Sequence, residues 1–322
     1  MGRMKTKRDV NAWLLAVVIR IIFALLQMFP IEWNLQTARL LARLWIWLSP
    51  RHRDRALAHL QASFGDAFTP VQLKRLAERC LASWTMFAVE VACMPRLINR
   101  FTWSRYIRLV NCEELIELIV GGRGLILVTG HYGSFELIGH FLASLGLPIA
   151  AVMRPFDNVY LNEYLVSTRR THGLRLLDKK GAMTEAEEIL ESGAMLAFIG
   201  DQDAGRKGIF VEFFDRPAST YKSIGLLAMA TGRPIVVGSA RRRGIQAQYD
   251  FMVERIIHPD DWADKPDPLR WITQSYTAGI EQFVRQAPEQ YLWIHRRWKS
   301  RPDGAGRRPS REVLPSPAAA RG

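Results

Sequence analysis

The sequence has few cysteines, and their spacing does not pair them. Cys80, Cys93 and Cys112 are the only three in 322 residues, and no two of them form a Cys-x-x-Cys pair. An odd number of cysteines without paired spacings argues against a disulfide framework. The sequence therefore predicts free thiols in a reducing compartment.

Acidic residues are also scarce relative to basic ones. Asp and Glu number 31 against 44 Lys and Arg, which leaves a formal net charge of +13. Such an excess favours an acidic partner, whether nucleic acid, anionic lipid or an acidic protein. Ten tryptophans accompany that charge, and both residue types anchor proteins at membrane interfaces. The alternative is a basic soluble protein with a tryptophan-rich core.

The first thirty residues divide into a basic N-terminus, residues 1–9, and an apolar segment, residues 10–30. Only Asn11, Arg20 and Gln27 interrupt the apolar run from Val10 to Phe29. A helix of this length just crosses a bilayer core. Its small and polar residues recur on one stripe, so the helix can also lie against its own protein within one leaflet. No Ala-x-Ala cleavage site follows, so we expect an uncleaved anchor.

Residues 31–103 form a predicted helical segment at the interface. A helix over residues 33–48 places Gln36, Arg39 and Arg43 on one face and leucine and tryptophan elsewhere. This pattern is typical of an interfacial helix, although packing on the domain core would suit it equally. Further helices are predicted over residues 52–64 and 70–94.

From residue 104 to 301 strands and helices alternate, which indicates an α/β domain with a mostly parallel central sheet flanked by helices. The anchor and the helical segment precede it. Strands are predicted at 106–110, 124–129, 149–153, 195–199, 209–214, 234–241 and 247–256, and helices at 112–120, 135–145, 158–171, 182–191, 219–230 and 268–286. The composition beyond residue 301 predicts a disordered tail over 302–322.

The stretch that organises this domain is Gly124-Leu-Ile-Leu-Val-Thr-Gly-His131-Tyr-Gly-Ser-Phe-Glu136. A short apolar run predicts a buried strand, two glycines permit a sharp turn, and Ser134 is a suitable N-cap for the next helix. His131 would then lie at the carboxyl end of a strand, where open α/β sheets bind ligands. Glu136 would lie in the first helical turn.

Chemically, such a histidine and carboxylate can act together. The carboxylate would hold the imidazole in one tautomer and stabilise the imidazolium. The chain has no Gly-x-Ser-x-Gly elbow, and no cysteine lies near the motif in sequence. We therefore expect the substrate to supply a hydroxyl that His131 deprotonates as general base. The alternative is a loop histidine with Glu136 favouring the helix dipole.

Other polar clusters follow predicted strands. Arg154 would clamp a phosphate or carboxylate, or else form a surface ion pair. Asp201 heads an acidic loop that offers ligands from one segment only, so we expect no metal site and instead a role in orienting Arg154 or a sugar hydroxyl. Arg206 adds positive charge for an anionic substrate.

Two further segments carry alternatives. Thr220 stands before a predicted helix, where backbone N–H groups would receive an anion, unless Ser219 or Thr220 is simply its cap. Residues 287–299 combine aromatic and basic side chains, a mixture that nucleic-acid sites also use. No nucleic-acid motif accompanies them, and the apolar N-terminus favours lipid. We expect His295 in this segment to be structural.

Taken together, these motifs resemble a known family. His131-x4-Glu136 resembles the acyltransferase motif of the lysophospholipid acyltransferase superfamily. Three later stretches are similar to the branch that adds late acyl chains to lipid A. They are Arg154-Pro-Phe-Asp-Asn158, Asp201-Gln-Asp-Ala-Gly with Phe210-Val-Glu-Phe-Phe214, and Pro288 to Lys299. Glu212 departs from the proline common in the family.

The resemblance implies a membrane-associated O-acyltransferase that moves a fatty acyl chain from an acyl thioester to a hydroxyl of a lipid A-type glycolipid. His131 would be the base and Glu136 would orient it, with no cofactor beyond acyl carrier protein or acyl-CoA as co-substrate. It further implies a bacterial inner membrane rich in anionic lipid, with the catalytic domain on the cytoplasmic face. Alternatives are a lysophosphatidate or other glycolipid acceptor, and a lipid hydrolase. Substrate-binding residues implied are Arg154, Asn158, Asp201, Gln202, Arg206 and Thr220.

Overall fold

The computed structural model describes residues 7–153, 155–171, 173–178 and 182–302. In these ranges four helices precede the sheet, five lie between its strands along the chain, and two follow the last strand. The helices are α1 Lys7–Met28, α2 Ile31–Leu48, α3 Pro50–Phe64, α4 Pro70–Leu97, α5 Glu113–Val120, α6 Phe135–Ser144, α7 Val159–Thr171, α8 Ala182–Glu191, α9 Ser223–Thr231, α10 Pro259–Trp262 and α11 Pro268–Gln286. The tail predicted to be disordered lies outside the described residues from 303 onward.

Nine strands form two sheets in the described part of the chain. They are β1 Ile107–Val110, β2 Leu125–Thr129, β3 Ile149–Met153, β4 Arg175–Asp178, β5 Met195–Ile199, β6 Ile209–Glu212, β7 Pro217–Thr220, β8 Ile235–Arg242 and β9 Tyr249–Ile257. The main sheet has the order β1-β9-β8-β2-β5-β3-β4, and β6 and β7 form a separate antiparallel pair. Within the main sheet only β8 and β9 pair antiparallel, so the predicted mostly parallel α/β sheet is confirmed.

Strand β2 occupies the centre of the main sheet because its side chains suit burial on both faces. All five residues from Leu125 to Thr129 are buried, as parallel strands covered by helices require. Its neighbours are β5 and β8, both parallel to it. Residues that follow β2 and β5 therefore emerge side by side at the carboxyl edge of the sheet.

Helix α4 connects the N-terminal helices to this sheet. It begins with a capping box, in which Thr69 accepts a hydrogen bond from Gln72 N and the Gln72 side chain accepts one from Thr69 N. Deeper in the helix, Glu90 forms a buried ion pair with Arg242 of β8 at 2.5 Å, and the Ser83 hydroxyl accepts another bond from that guanidinium. The helix thus belongs to the core rather than to a surface segment.

Helices α1 and α2 keep most of their apolar surface exposed. Helix α2 buries one narrow stripe against α4, which includes Leu35, Ala38 and Ala42. Its Trp33 and Trp47 side chains face outward. Among the described residues, α1 is the one helix long and apolar enough to cross a membrane. The exposed apolar side chains of the two helices include Leu14, Leu15, Val18, Ile21, Ile22, Leu25, Leu40, Leu41, Leu44 and Leu48.

The prediction around residue 220 was wrong. A helix was expected from residue 219, but residues 217–220 form strand β7 and α9 begins at Ser223 with Lys222 at its N-cap. Neither Ser219 nor Thr220 therefore caps α9. Pairing with β6 outweighs local helix propensity here, since it satisfies the backbone of both short strands. Strand β4 is a second element that the sequence pattern did not predict.

Candidate active site

The turn after β2 is tight and depends on glycine. Gly133 has φ +58°, and a Cβ placed there would lie 2.2 Å from the carbonyl oxygen of Ala240 in β8. The predicted glycine turn is confirmed at this position, because only a residue without a side chain fits both the backbone angle and the contact. Ser134 occupies the N-cap position of α6, but its side chain makes no capping bond.

His131 pairs with Asp201. Its Nδ1 lies 2.7 Å from Oδ1 of Asp201, and its backbone N–H donates to Oδ2 at 2.8 Å. The register of the sheet explains the pairing: Thr129 of β2 is opposite Ile199 of β5, and His131 and Asp201 each come two residues later. Both carboxylate oxygens of Asp201 thus bond to one residue, His131, in the neighbouring turn.

The electrostatics of the pair follow from burial and proximity. Burial alone would lower the pKa of His131, but the charge of Asp201 and its hydrogen bond outweigh burial, so the pKa is raised above the usual 6.5. For Asp201, burial opposes ionisation, yet His131 and its backbone N–H lower the pKa from 3.8 to about 2. Asp201 is therefore a carboxylate at neutral pH, and it stabilises an imidazolium.

The second imidazole nitrogen of His131 faces Gln202. The side-chain Nε2 of Gln202 lies 3.4 Å from Nε2 of His131. Since Nδ1 of a neutral ring donates its proton to Asp201, Nε2 carries a lone pair that can accept one. The ring keeps 13% of its surface exposed. His131 thus has the tautomer and the access that a general base needs.

Glu136 does not orient His131, which corrects the predicted arrangement. Its two carboxylate oxygens accept hydrogen bonds from Nη2 and Nε of Arg169 at 2.7 and 3.1 Å. No hydrogen bond joins Glu136 to His131 within the ranges that the structure describes. The helical geometry explains this, since Glu136 projects toward α7 while Asp201 emerges directly beside His131. Glu136 still contributes through its charge, which adds to the rise in the pKa of His131.

The segment after α11 is bonded to the turns that follow β2 and β5. Leu292 N donates to the carbonyl oxygen of His131, and Gly133 N donates to that of Gln290. Arg297 is buried and donates to the carbonyl oxygens of Gln202 and Ser219. The basic side chain of Arg297 is thus part of the protein interior rather than a nucleic-acid contact.

Of three further residues predicted to bind substrate, Asn158 and Thr220 make bonds within the protein, and Arg206 is exposed. Asn158 donates to the carbonyl oxygen of Ala12 in α1 and accepts from Leu161 N at the start of α7. Thr220 is fully buried, and its hydroxyl accepts from Arg297 and donates to Ala218, so it presents no group to an anion. Arg206 is exposed in the loop after Asp201.

Arg154, the fourth residue in this group, lies outside the described residues. Its role in substrate binding stays a prediction. The same holds for the proposed support of Arg154 by Asp201.

Sequence reasoning did not predict the contacts of two residues at the site, Arg169 and His295. Arg169 lies 33 positions after Glu136 on α7, so no local spacing indicates their contact. The prediction that His295 is structural is not tested; its ring stacks on that of His131, with centroids 5.7 Å apart and planes 15° apart. The available signal was its place in a segment rich in Trp, Tyr and Arg that follows the last long helix.

Comparisons with known proteins identify the family of the chain. Residues 2–300 match the family described as bacterial lipid A biosynthesis acyltransferase. A lipid A biosynthesis acyltransferase of Haemophilus influenzae is 24% identical over 291 residues, covering 88% of this chain and 87% of its own. Lipid A biosynthesis lauroyltransferase and palmitoleoyltransferase of Escherichia coli are 28% and 30% identical, over 62% and 60% of this chain and 64% and 61% of theirs.

An α/β sheet with a His–Asp pair at its carboxyl edge, together with these relatives, defines an acyltransferase. The chain belongs to the bacterial lipid A biosynthesis acyltransferase family.

Proposed function

We propose that this protein transfers a fatty acyl chain from an acyl thioester to a hydroxyl group of a lipid A-type glycolipid, with His131 as general base and Asp201 as its partner. The observation that carries the mechanism is the bond of Nδ1 to Asp201, which leaves Nε2 unprotonated beside the accessible side of the ring. The relatives named for lipid A acyl transfer support the choice of acceptor.

In this reaction Nε2 of His131 removes the proton of the acceptor hydroxyl. The resulting oxygen attacks the thioester carbonyl, and the imidazolium is stabilised by Asp201. Collapse of the tetrahedral intermediate breaks the C–S bond, and the thiolate leaves with the proton from Nε2. No covalent acyl-enzyme is needed, because the acceptor supplies the nucleophile.

For the donor, an acyl carrier protein suits the charge around the site. Four exposed basic side chains lie on two segments joined by the bond between Ser300 and Asp203. We call them the basic rim; they are Arg206, Lys207, Arg296 and Lys299. An acidic carrier would be attracted to this surface. Reversing two charges with Arg296→Glu and Lys299→Glu should raise KM for the acylated carrier several-fold while KM for acyl-CoA stays nearly constant.

The placement of α1 indicates how the enzyme meets its lipid acceptor. Asn158 of the α/β domain bonds to Ala12 of α1, and Gln27 near the other end of α1 bonds to Ala92 of α4. These contacts lie about 22 Å apart along the helix. A spanning α1 would pull α7 into the hydrocarbon core with Glu163 and Arg170, at a high cost. We infer that α1 lies within one leaflet of the inner membrane, with the domain on the cytoplasmic face.

Labelling of single cysteines tests that topology. The native cysteines are buried, so Asp9→Cys and Phe29→Cys at the two ends of α1 can be labelled with an impermeant maleimide in inverted membrane vesicles. Both positions should react from the side on which Glu187→Cys of α8 reacts. Reaction of the two ends from opposite sides would show that α1 spans the bilayer.

Activity is tested with purified protein in detergent, a lipid A precursor as acceptor, and either acylated carrier protein or acyl-CoA. We expect a glycolipid heavier by one acyl chain, and a loss of at least 10³-fold in kcat for His131→Gln. Release of free fatty acid in excess of acylated glycolipid at saturating acceptor would identify a hydrolase instead. Acylation of lysophosphatidate in preference to the glycolipid would contradict the proposed acceptor.

A further inference from the structure

The imidazole of His295 holds a polar atom that the protein itself does not satisfy. Its Nε2 is buried, and no hydrogen-bond partner for it exists among the residues that the structure describes. Buried polar side-chain atoms nearly always have a partner, so an unpartnered one beside a reactive group needs an explanation. The ring of His295 lies nearly parallel to the imidazole of His131, with planes 15° apart and a centroid distance of 5.7 Å, so this unpartnered nitrogen belongs to a ring that stacks on the candidate base.

The position of His295 is fixed by the segment that carries it. The backbone N–H of His295 donates to the carbonyl oxygen of Leu292, and the backbone N–H of Leu292 donates to the carbonyl oxygen of His131. Two residues later, Arg297 donates to the carbonyl oxygen of Gln202. The turn that holds His295 is therefore bonded to the turns that follow β2 and β5, which fixes the backbone of His295 beside the His131–Asp201 pair.

The surroundings of His295 keep its ring neutral. Burial lowers its pKa below 6.5, and the neighbouring His131 and Arg297 lower it further, against the opposing effect of Asp201 and Asp203. Protonation of both stacked imidazoles is unfavourable because their charges repel, and the bond to Asp201 favours the positive charge on His131. A neutral imidazole can donate one hydrogen bond without competing for the acceptor's proton, as neutral histidines do in other enzymes that polarise carbonyl groups.

We propose that Nε2–H of His295 donates a hydrogen bond to the thioester carbonyl oxygen and stabilises the negative charge that develops on it. This rests on the proposed thioester transfer. As the acceptor oxygen forms its bond to the carbonyl carbon, the π electrons move to the carbonyl oxygen, which then accepts a stronger bond from His295. When the C–S bond breaks, those electrons return and the proton on His131 goes to the sulfur. His295 keeps its proton throughout.

A matched pair of substitutions separates this role from packing. His295→Phe retains a flat ring that can stack on His131 but removes the donor, whereas His295→Gln supplies an amide N–H2 near the position of Nε2. Loss of one such donor lowers kcat by about 10²–10³-fold in other enzymes. We expect a fall of that size for His295→Phe, with KM for both substrates changed by less than about threefold, and recovery of at least tenfold in His295→Gln.

The pH profile of kcat completes the test. A donor to the oxyanion should leave the acidic limb, which reports His131, at its wild-type pH in His295→Phe. The proposal is overturned if His295→Phe keeps kcat within about threefold of wild type, or if His295→Gln is no better than His295→Phe. The proposal is also overturned if the acidic limb of His295→Phe shifts while its kcat at high pH returns to the wild-type value. His295 would then act only by changing the pKa of His131. Absence of thioester turnover in the wild-type protein would instead contradict the proposed function, before any variant is compared.

Discussion

Replacing Asp201 by asparagine tests the central pair most directly. The carboxylate is buried, and its contacts with His131 lower its pKa from 3.8 to about 2. That difference corresponds to ~2 kcal/mol in favour of the charged form beside the imidazole. If the transition state loses only this stabilisation, kcat falls about 30-fold. If the asparagine amide also donates to Nδ1, the ring adopts the wrong tautomer and the loss approaches about 10⁴-fold.

The pH dependence makes the prediction sharper. In the wild-type protein kcat should rise as the pH passes the raised pKa of His131, since only the neutral ring accepts a proton. Without the charge of Asp201, burial dominates and the pKa falls below 6.5. The acidic limb of kcat in Asp201→Asn should therefore move to lower pH while the plateau drops. Stopped assays of acylated glycolipid between pH 5 and 9 give both quantities.

Asp203→Asn is the matched control, because Asp203 is two residues away and bonds to Ser300 instead. We expect it to keep kcat within about threefold of the wild-type value. The reasoning is refuted if Asp201→Asn retains kcat within a factor of five, or if the limb stays at the wild-type pH while His131→Gln remains inactive.

Three further predictions concern neighbouring parts of the molecule. Glu136→Gln breaks the bidentate pair with Arg169, so kcat should fall by about tenfold, less than in Asp201→Asn, with a lower Tm by differential scanning fluorimetry. Glu90→Ala leaves Arg242 buried without its partner, and urea unfolding should show a loss of about 3–5 kcal/mol. The free energy that His131 contributes to folding is complete below pH 6.5 and declines as the pH rises through its raised pKa, so the stability difference between wild type and His131→Gln should shrink from pH 6 to pH 9.

One exposed carboxylate, Glu187, supplies the controls for the first two measurements. Glu187→Gln on the outer face of α8 should change kcat by less than twofold, and Glu187→Ala should change the free energy of unfolding by less than about 0.5 kcal/mol. A Glu136→Gln loss as large as that of Asp201→Asn would restore the original assignment of Glu136 to the ring of His131. Equal stability of Glu90→Ala and wild type would show that water reaches Arg242.

The elements of the sheet were largely predictable, whereas two short strands were not. Strand β2 is apolar up to its last residue, Thr129, and is bounded by glycine, so its burial follows from composition. Strand β7 consists of Pro, Ala, Ser and Thr, a sequence with no strand preference, and it forms because β6 offers it backbone partners. Such pairing is a property of the chain in three dimensions, which local propensity does not contain.

What the sequence determined by itself is the location of the candidate base. Gly130, His131 and Gly133 follow an apolar run, and that order places His131 at the end of a buried strand. The sequence also shows no Gly-x-Ser-x-Gly elbow, and an apolar helix precedes the domain.

Only the tertiary structure decided which carboxylate bonds to His131. Glu136 is five residues away in sequence and Asp201 is seventy, yet parallel pairing of β2 with β5 brings Asp201 within 2.7 Å of the ring. The first turn of α6 instead directs Glu136 to Arg169. The physical reason is that strand register fixes positions at the edge of a sheet, whereas spacing along a chain only limits them.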